Sequence, residues 1–174
     1  PDIATMRARL ADEFKSHVYT RGNNPTVEIL AKKIAALEGA EQALMFGSGA
    51  AAIAAGVLAH VRAGDEVLCV EKPYFWTGQL VRKLLTQFGM RGRFVDATDI
   101  DAVAAAITPT TRMIVLETPN SLTFEQQDLA AIAALAKSHG ITTLVDNSYA
   151  TPLYQSPIEL GIDLVAHSAT KYLN

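Results

Sequence analysis

Short apolar runs alternate along the chain with stretches in which apolar residues recur every three or four positions. Runs at 43–46 (ALMF), 66–70 (EVLCV), 112–117 (RMIVLE), 141–146 (ITTLVD) and 162–167 (IDLVAH) predict strands, with a weaker one at 91–96 (RGRFVD). Helices are predicted between them over roughly 50–62, 75–88, 99–107 and 126–139. In the last, Leu129, Ile132, Ala133 and Ala136 share one face, and Gly140 follows its end. Upstream, Asn24 and Pro25 read as an N-cap and first helical residue. Val27, Leu30, Ile34 and Leu37 then follow at helical spacing, and Gly39 closes that helix. Residues 1–25 read as polar and irregular, with Arg7, Arg9, Asp12, Glu13, Lys15 and Arg21 spread through them. The turn-rich stretch Arg21-Gly22-Asn23-Asn24-Pro25 makes this an arm rather than a core element. Strands alternating with helices predict an α/β fold: a mostly parallel sheet with helices on both faces.

Composition narrows the classes without choosing among them. The chain has 174 residues, 49% apolar and 19% charged, with 15 basic against 18 acidic side chains. That is enough chain to bury a sizeable core, and the apolar content excludes intrinsic disorder. A net charge of −3 gives no drive toward nucleic acid or an anionic membrane. The uncharged run from Ala43 to Ala59 is broken by Gly47, Ser48, Gly49 and Gly56. It is shorter than the roughly 20 apolar residues a membrane span requires. No basic segment followed by an apolar one opens the chain, so secretion is not expected. A single cysteine, Cys69, among apolar neighbours fits a reducing, cytoplasmic setting.

In an open parallel sheet, ligands bind beyond the carboxyl ends of the strands. Polar residues collect there: Gly47-Ser48-Gly49-Ala50, then Glu71 with Pro73 and Tyr74, then Glu117-Thr118-Pro119-Asn120-Ser121. Asp146-Asn147-Ser148 and His167-Ser168-Ala169-Thr170-Lys171 complete the edge. The Gly47-Ser48-Gly49 turn reads either as a helix N-terminus cradling a phosphate or as a tight turn whose glycines serve the backbone alone. Gly47-x-Gly49-x-x-Ala52 with Glu71 also fits a nicotinamide-dependent dinucleotide fingerprint, although that reading leaves Asp146 and Lys171 without a role. Taken alone, Asp146 reads first as a helix or turn cap and Lys171 by default as a solvated surface amine. The four histidines have no metal-ligand spacing, so no metal is expected. Together the residues form a more specific set: a helix N-terminus, a strand-end carboxylate, and Ser168, Thr170 and Lys171 on the neighbouring element. Pyridoxal phosphate calls for that set: a lysine for covalent attachment, a carboxylate for the pyridine nitrogen, hydroxyls and N–H groups for the phosphate. A catalytically silent chain that keeps the fold is a third reading.

The segments YTRGNNPT (19–26), LEGAEQALMFGSGAAAI (37–53), ETPNSLTFEQQD (117–128), VDNSYATP (145–152) and ELGIDLVAHSATKYLN (159–174) resemble the cystathionine synthase/lyase (Cys/Met metabolism) family of pyridoxal-phosphate enzymes. The resemblance runs from about Phe14 to Asn174. It implies the fold-type I, aspartate-aminotransferase-like large domain, incomplete here over 26–174. Residues 1–25 would be an arm serving a neighbouring subunit's site, and a C-terminal domain would lie beyond Asn174. It also implies a pyridoxal 5′-phosphate cofactor and a small amino-acid substrate. The assembly implied is a homodimer or homotetramer with shared active sites.

Matched to the family's motifs, Lys171 would hold the cofactor and Asp146 would pair with its pyridine nitrogen. The amides of Gly49 and Ala50, with the hydroxyls of Ser168 and Thr170, would take the phosphate. Tyr74 would stack on the ring and assist catalysis, and Tyr19 and Arg21 would reach a neighbour's phosphate. The chain departs from the usual pattern at Phe75-Trp76-Thr77, where Gly-Gly-Thr is common, at Ala50 in place of Met, and at Ser121-Leu122 in place of Asn-Pro. The implied reaction cleaves or exchanges the β- or γ-substituent of cystathionine-like substrates, a lyase reaction. The alternative is the γ-replacement of a γ-synthase or O-acetylhomoserine sulfhydrylase, a transferase reaction.

Overall fold

The computed structural model describes residues 2–12 and 15–173. Pro1, Glu13, Phe14 and Asn174 lie outside them, so the expected limits of the family-like stretch, Phe14 and Asn174, are outside the described residues. The chain divides into two compact units, residues 1–45 and 46–174.

The first unit holds two helices, α1 (Ile3–Ala11) and α2 (Pro25–Glu38). Helix α1 corrects the expectation of an irregular arm. Asp2 caps it by accepting from the Thr5 N–H at 2.7 Å, while Ile3, Met6 and Leu10 form an exposed stripe at i, i+3 and i+7. The scattered charges mask that periodicity. Helix α2 begins and ends as its punctuation predicts. Asn24 Oδ1 accepts from Thr26 N (2.9 Å) and Val27 N (3.3 Å), Pro25 is the first helical residue, and Gly39 closes the helix at φ 67°. The face read as apolar is not buried: Val27, Leu30 and Leu37 are all exposed.

The second unit is a five-stranded parallel sheet: β1 (Glu66–Val70), β2 (Arg91–Val95), β3 (Thr111–Glu117), β4 (Thr142–Asp146) and β5 (Leu164–Ala166). Their order is β2-β1-β3-β4-β5, with all pairs parallel, as the alternating pattern predicts. Strand β1 is buried at every position and β3 at all but Arg112, so both faces of the sheet centre are covered. Helix α3 (Gly49–His60) precedes β1. Helix α4 (Phe75–Gln79) runs through a π-helical turn (Leu80–Leu84) into α5 (Leu85–Gln87) and joins β1 to β2. Helices α6 (Ile100–Ala106), α7 (Leu129–Ser138) and α8 (Thr151–Tyr154) make the remaining connections. Asp99 and Asp128 cap α6 and α7 with their side chains. The core comprises Val67, Leu68, Cys69, Met113, Ile114, Val115, Leu116 and Leu144 of the sheet, with Val57, Val81, Val103 and Ile132 from the helices.

Two element predictions need correction. Residues 43–46 form no strand, and Leu44 and Phe46 are exposed. A strand exists only through pairing, and no ladder of the sheet includes these four residues. The helix expected over 75–88 is interrupted by the π turn, where Val81 lies against Gly92 of β2. A Cβ built on Gly92 would stand 2.4 Å from both Val81 Cγ1 and the Val81 carbonyl oxygen. Glycine is needed there because two backbones meet.

Candidate active site at the carboxyl edge of the sheet

The strand order reverses direction between β1 and β3. From β1 the chain goes outward to β2, and from β2 it returns past β1 to β3. The carboxyl edge beside such a reversal is the usual ligand position in open parallel sheets. The sequence-predicted residues of the second unit gather along this edge.

Helix α3 contributes its N-terminus. Ser48 Oγ accepts from Ala51 N at 3.1 Å, which leaves the Gly49 and Ala50 amides free of that cap. The helix approaches the sheet closely because Gly49 and Gly56, two turns apart, lie on one face. A Cβ on Gly56 would meet Leu144 Cδ1 at 2.6 Å, and one on Gly49 would meet Ser168 Cβ at 2.8 Å and Ser168 Cα at 2.9 Å. The positive end of the α3 dipole thus abuts the turn after β5. In that turn Ser168 Oγ and Thr170 Oγ1 are 3.2 Å apart, and Lys171 N donates to the Ser168 carbonyl at 3.0 Å. The Lys171 side chain is exposed.

Asp146 ends β4, half-buried, in register with Glu117 of β3 and Ala166 of β5. Its Oδ1 accepts from Ser148 N at 3.0 Å, so the turn-cap geometry is present, and it leaves Oδ2 for another donor. Ser148 also ties this carboxylate to the turn after β5, because its Oγ accepts from Ser168 N at 2.6 Å. Beside them Tyr149 stacks edge-on against Phe124 (5.2 Å) and Tyr172 (5.6 Å). Burial, with Tyr172 alongside, pushes the Tyr149 phenol above its ordinary range.

Tyr74 opens α4 at the exit of β1 and is partly exposed, followed by Phe75 and Trp76 in an edge-to-face pair at 5.1 Å. Tyr19 and Arg21 belong to the first unit, where the Arg21 guanidinium lies 4.9 Å from the centre of the Tyr19 ring.

Four polar residues that the sequence places on this edge or in the 117–128 segment, without an individual role, organise it. Glu117, Asn120, Gln127 and Asn147 are buried. Asn120 Nδ2 donates to the carbonyls of Glu71 and Lys72 (3.2 Å each), and Gln127 Nε2 donates to Asn120 Oδ1 at 2.6 Å. Glu117 accepts from Tyr74 N and Ser121 N, both at 2.6 Å. A carboxylate closing an apolar strand was the available signal, the same one that marked Asp146.

The set fits pyridoxal phosphate. A helix N-terminus packed so closely on the 168–171 turn that Gly49 has no room for a Cβ, adjacent hydroxyls, a lysine one residue on, and a strand-end carboxylate with one oxygen unbonded among the described residues match its phosphate, aldehyde and ring nitrogen. The dinucleotide reading fails locally. The Gly47–Gly49 turn is not preceded by a strand, and Glu71 is exposed.

Comparison with known proteins agrees. The profile of the family described as Cys/Met metabolism PLP-dependent enzyme matches residues 3–174. An L-methionine gamma-lyase of Pseudomonas putida is 42% identical over 174 residues, covering 100% of this chain and 44% of its own length. A cystathionine beta-lyase of Bacillus subtilis (strain 168) is 43% identical over 171 residues, covering 98% and 44%. A probable cystathionine gamma-synthase of Herpetosiphon aurantiacus is 41% identical over 170 residues, covering 98% and 53%. The crystal structure of cystathionine gamma-lyase from Lactobacillus plantarum complexed with L-serine superposes with a TM-score of 0.85 at 42% identity, over 89% of this chain and 40% of that one. The chain thus spans about half the length of the curated relatives it matches.

Proposed function

The chain belongs to the Cys/Met metabolism PLP-dependent enzyme family, and from that membership we propose that it forms the cofactor-binding part of an enzyme of sulfur amino acid metabolism. The reaction is cleavage or exchange of the β- or γ-substituent of a cystathionine-like amino acid or homoserine ester. The observation that carries this reading is the approach of Gly49 to Ser168. It sets a helix N-terminus against the hydroxyls and lysine of the 168–171 turn, one strand from Asp146.

When bound, pyridoxal phosphate supplies an electron sink for the pair left behind as the substrate loses its Cα proton. The protein's residues do the rest. The Gly49 and Ala50 amides, with Ser168 and Thr170 Oγ, bind the phosphate. Asp146 Oδ2 keeps the proton on the ring nitrogen. Lys171 Nζ would hold the cofactor, and its amine would take the Cα proton of the substrate and deliver it onward. Tyr74 orients the ring by stacking. Tyr19 and Arg21 serve the phosphate of a neighbouring subunit, the bidentate guanidinium suiting a phosphate better than a lysine would. That role makes the whole protein a homodimer or homotetramer, with residues 1–25 as the exchanged arm, 26–174 within the large domain, and a C-terminal domain beyond. Cys69, fully buried and without a disulfide partner among the described residues, supports a cytoplasmic setting.

The test is borohydride reduction of the holoenzyme followed by peptide mapping. Label on Lys171 is expected, and label on any other residue overturns the assignment. Product analysis with cystathionine, methionine and O-acetylhomoserine then identifies the reaction. Pyruvate marks β-elimination, 2-oxobutyrate γ-elimination, and a new thioether γ-replacement.

A further inference from the structure

Glu117 is 5% exposed, closes β3 beside Asp146, and has no basic partner among the described contacts that hold it. Its two oxygens are used separately: Oε2 accepts the Tyr74 N–H and Oε1 the Ser121 N–H, each at 2.6 Å. Two donors aimed one at each oxygen fit a carboxylate and exclude an amide, whose NH2 would face one of the N–H groups.

The segment that follows β3, residues 118–127, forms a strap that holds the β1 exit loop at three further points. Asn120 takes the Glu71 and Lys72 carbonyls, and Lys72 Nζ bonds Glu125 Oε1 at 2.8 Å. This loop does not hold itself in place. Lys72 has φ 54°, a left-handed conformation that costs a non-glycine residue stability, and Tyr74 begins α4 without a side-chain cap of its own. Leu122 and Phe124 in the strap also have positive φ, at 68° and 57°. Strain on both sides of one buried carboxylate indicates that the contact defines the geometry of the loops rather than merely accompanying it.

We propose that Glu117 is a positioning residue for Tyr74: its carboxylate, anchored in the sheet, fixes the backbone of the ring-stacking tyrosine and couples it to the strap at Ser121. This rests on the role given to Tyr74 above. It also identifies how the Ser121-Leu122 departure is accommodated, because the anchor is the Ser121 backbone N–H and needs no particular side chain there.

The experiment has two readouts. In the apoprotein, hydrogen exchange followed by mass spectrometry monitors the peptides containing Tyr74 and Ser121. Glu117→Gln should accelerate exchange in both by about tenfold or more, the scale of losing a charge-assisted hydrogen bond. Unchanged protection overturns the clamp. If Glu117→Gln does not fold, Glu117→Asp serves instead. It keeps the charge but shortens the reach, and exchange must rise at one or both peptides. In the cofactor-loaded protein, a double-mutant cycle of Glu117→Gln and Tyr74→Ala is read by kcat, KM and pyridoxal-phosphate affinity. Glu117→Gln should lower kcat roughly tenfold to a hundredfold with little change in KM, the scale of a displaced positioning group. In the Tyr74→Ala background that loss should largely disappear, whereas additive losses overturn positioning through Tyr74. Accelerated exchange with no cofactor on Lys171 of the parent protein leaves the clamp standing and refutes the proposed function.

Discussion

Glu66 and Glu117 are buried carboxyls at opposite ends of neighbouring strands, and their proton affinities move in opposite directions. Burial works against ionisation of Glu66, but the bidentate Arg93 guanidinium (2.9 Å to each oxygen) and the Thr111 and Thr108 hydroxyls outweigh it, so its carboxyl lies below the ordinary range. At Glu117 burial dominates. The N–H donors of Ser121 and Tyr74 only partly offset it, Asp146 on β4 adds repulsion, and the carboxyl is pushed above its ordinary value of 4.5. Cys69 on β1 also faces Glu117, but its own thiol is pushed up by burial and stays neutral. The folded state therefore holds the Glu117 proton more tightly than the unfolded chain does. That contribution to stability is complete below the ordinary carboxylate range and is lost as pH rises through the raised value. Urea unfolding of the parent and of Glu117→Gln across mildly acidic pH should show the parent losing stability relative to the variant as pH increases. A constant or opposite difference would contradict the assignment. One edge of the sheet is thus built for stability and the other tolerates an unfavourable charge.

Among the elements, the helix joining β1 to β2 shows most clearly how a single residue admits a backbone irregularity. Its π turn buries Leu80 and Val81, and Arg82 lies 4.0 Å above the Phe94 ring of β2. The approach is closest at Gly92, where an added Cβ would meet a carbonyl oxygen as well as a side chain. Gly92→Ala should destabilise the protein by about 1–3 kcal/mol or more, the usual scale for overpacking. Gly78→Ala is the contrasting case. Its Cβ would meet Arg82 Nη1 at 2.7 Å, the far end of a flexible side chain, and Pro73 Cγ at an ordinary 3.7 Å, and alanine favours helix there. Denaturant midpoints should fall for Gly92→Ala and hold or rise for Gly78→Ala. Equal effects would show that the π turn is not pinned by β2.

For the second unit as a whole, the parallel sheet imposes cooperativity, since its central strands are sealed on both faces. Cys69 is fully buried in β1 between β2 and β3, and its thiol is pushed far up by burial. Thiolate reagents need both access and deprotonation. Cys69 should resist an aromatic disulfide reagent in native buffer and react at a rate that tracks opening of the sheet. Fast stoichiometric labelling without denaturant would show that the strands open locally. Any such assay on the full-length protein must follow the peptide carrying Cys69.

Much of this molecule is legible in side-chain order. Strands buried on both faces must be apolar at consecutive positions, which is why β1, β3 and β4 stand out in the sequence. Asn24-Pro25, Gly39 and Gly140 mark helix ends because caps demand particular side chains or left-handed backbone. The strand-end residues Asp146, Ser168, Thr170 and Lys171 were visible for a related reason: polar groups ending apolar runs are conspicuous. Tertiary structure alone decided which strands are neighbours, and it left 43–46 unpaired although its composition resembles the others. It also brought Gly49 against Ser168 across more than a hundred residues, and gave Glu117 its partners. Those partners are backbone N–H groups, which every non-proline residue possesses, so no sequence pattern distinguishes them. Local sequence records what a residue needs from its own element. Contacts between backbones distant in the chain exist only once the sheet has brought them together.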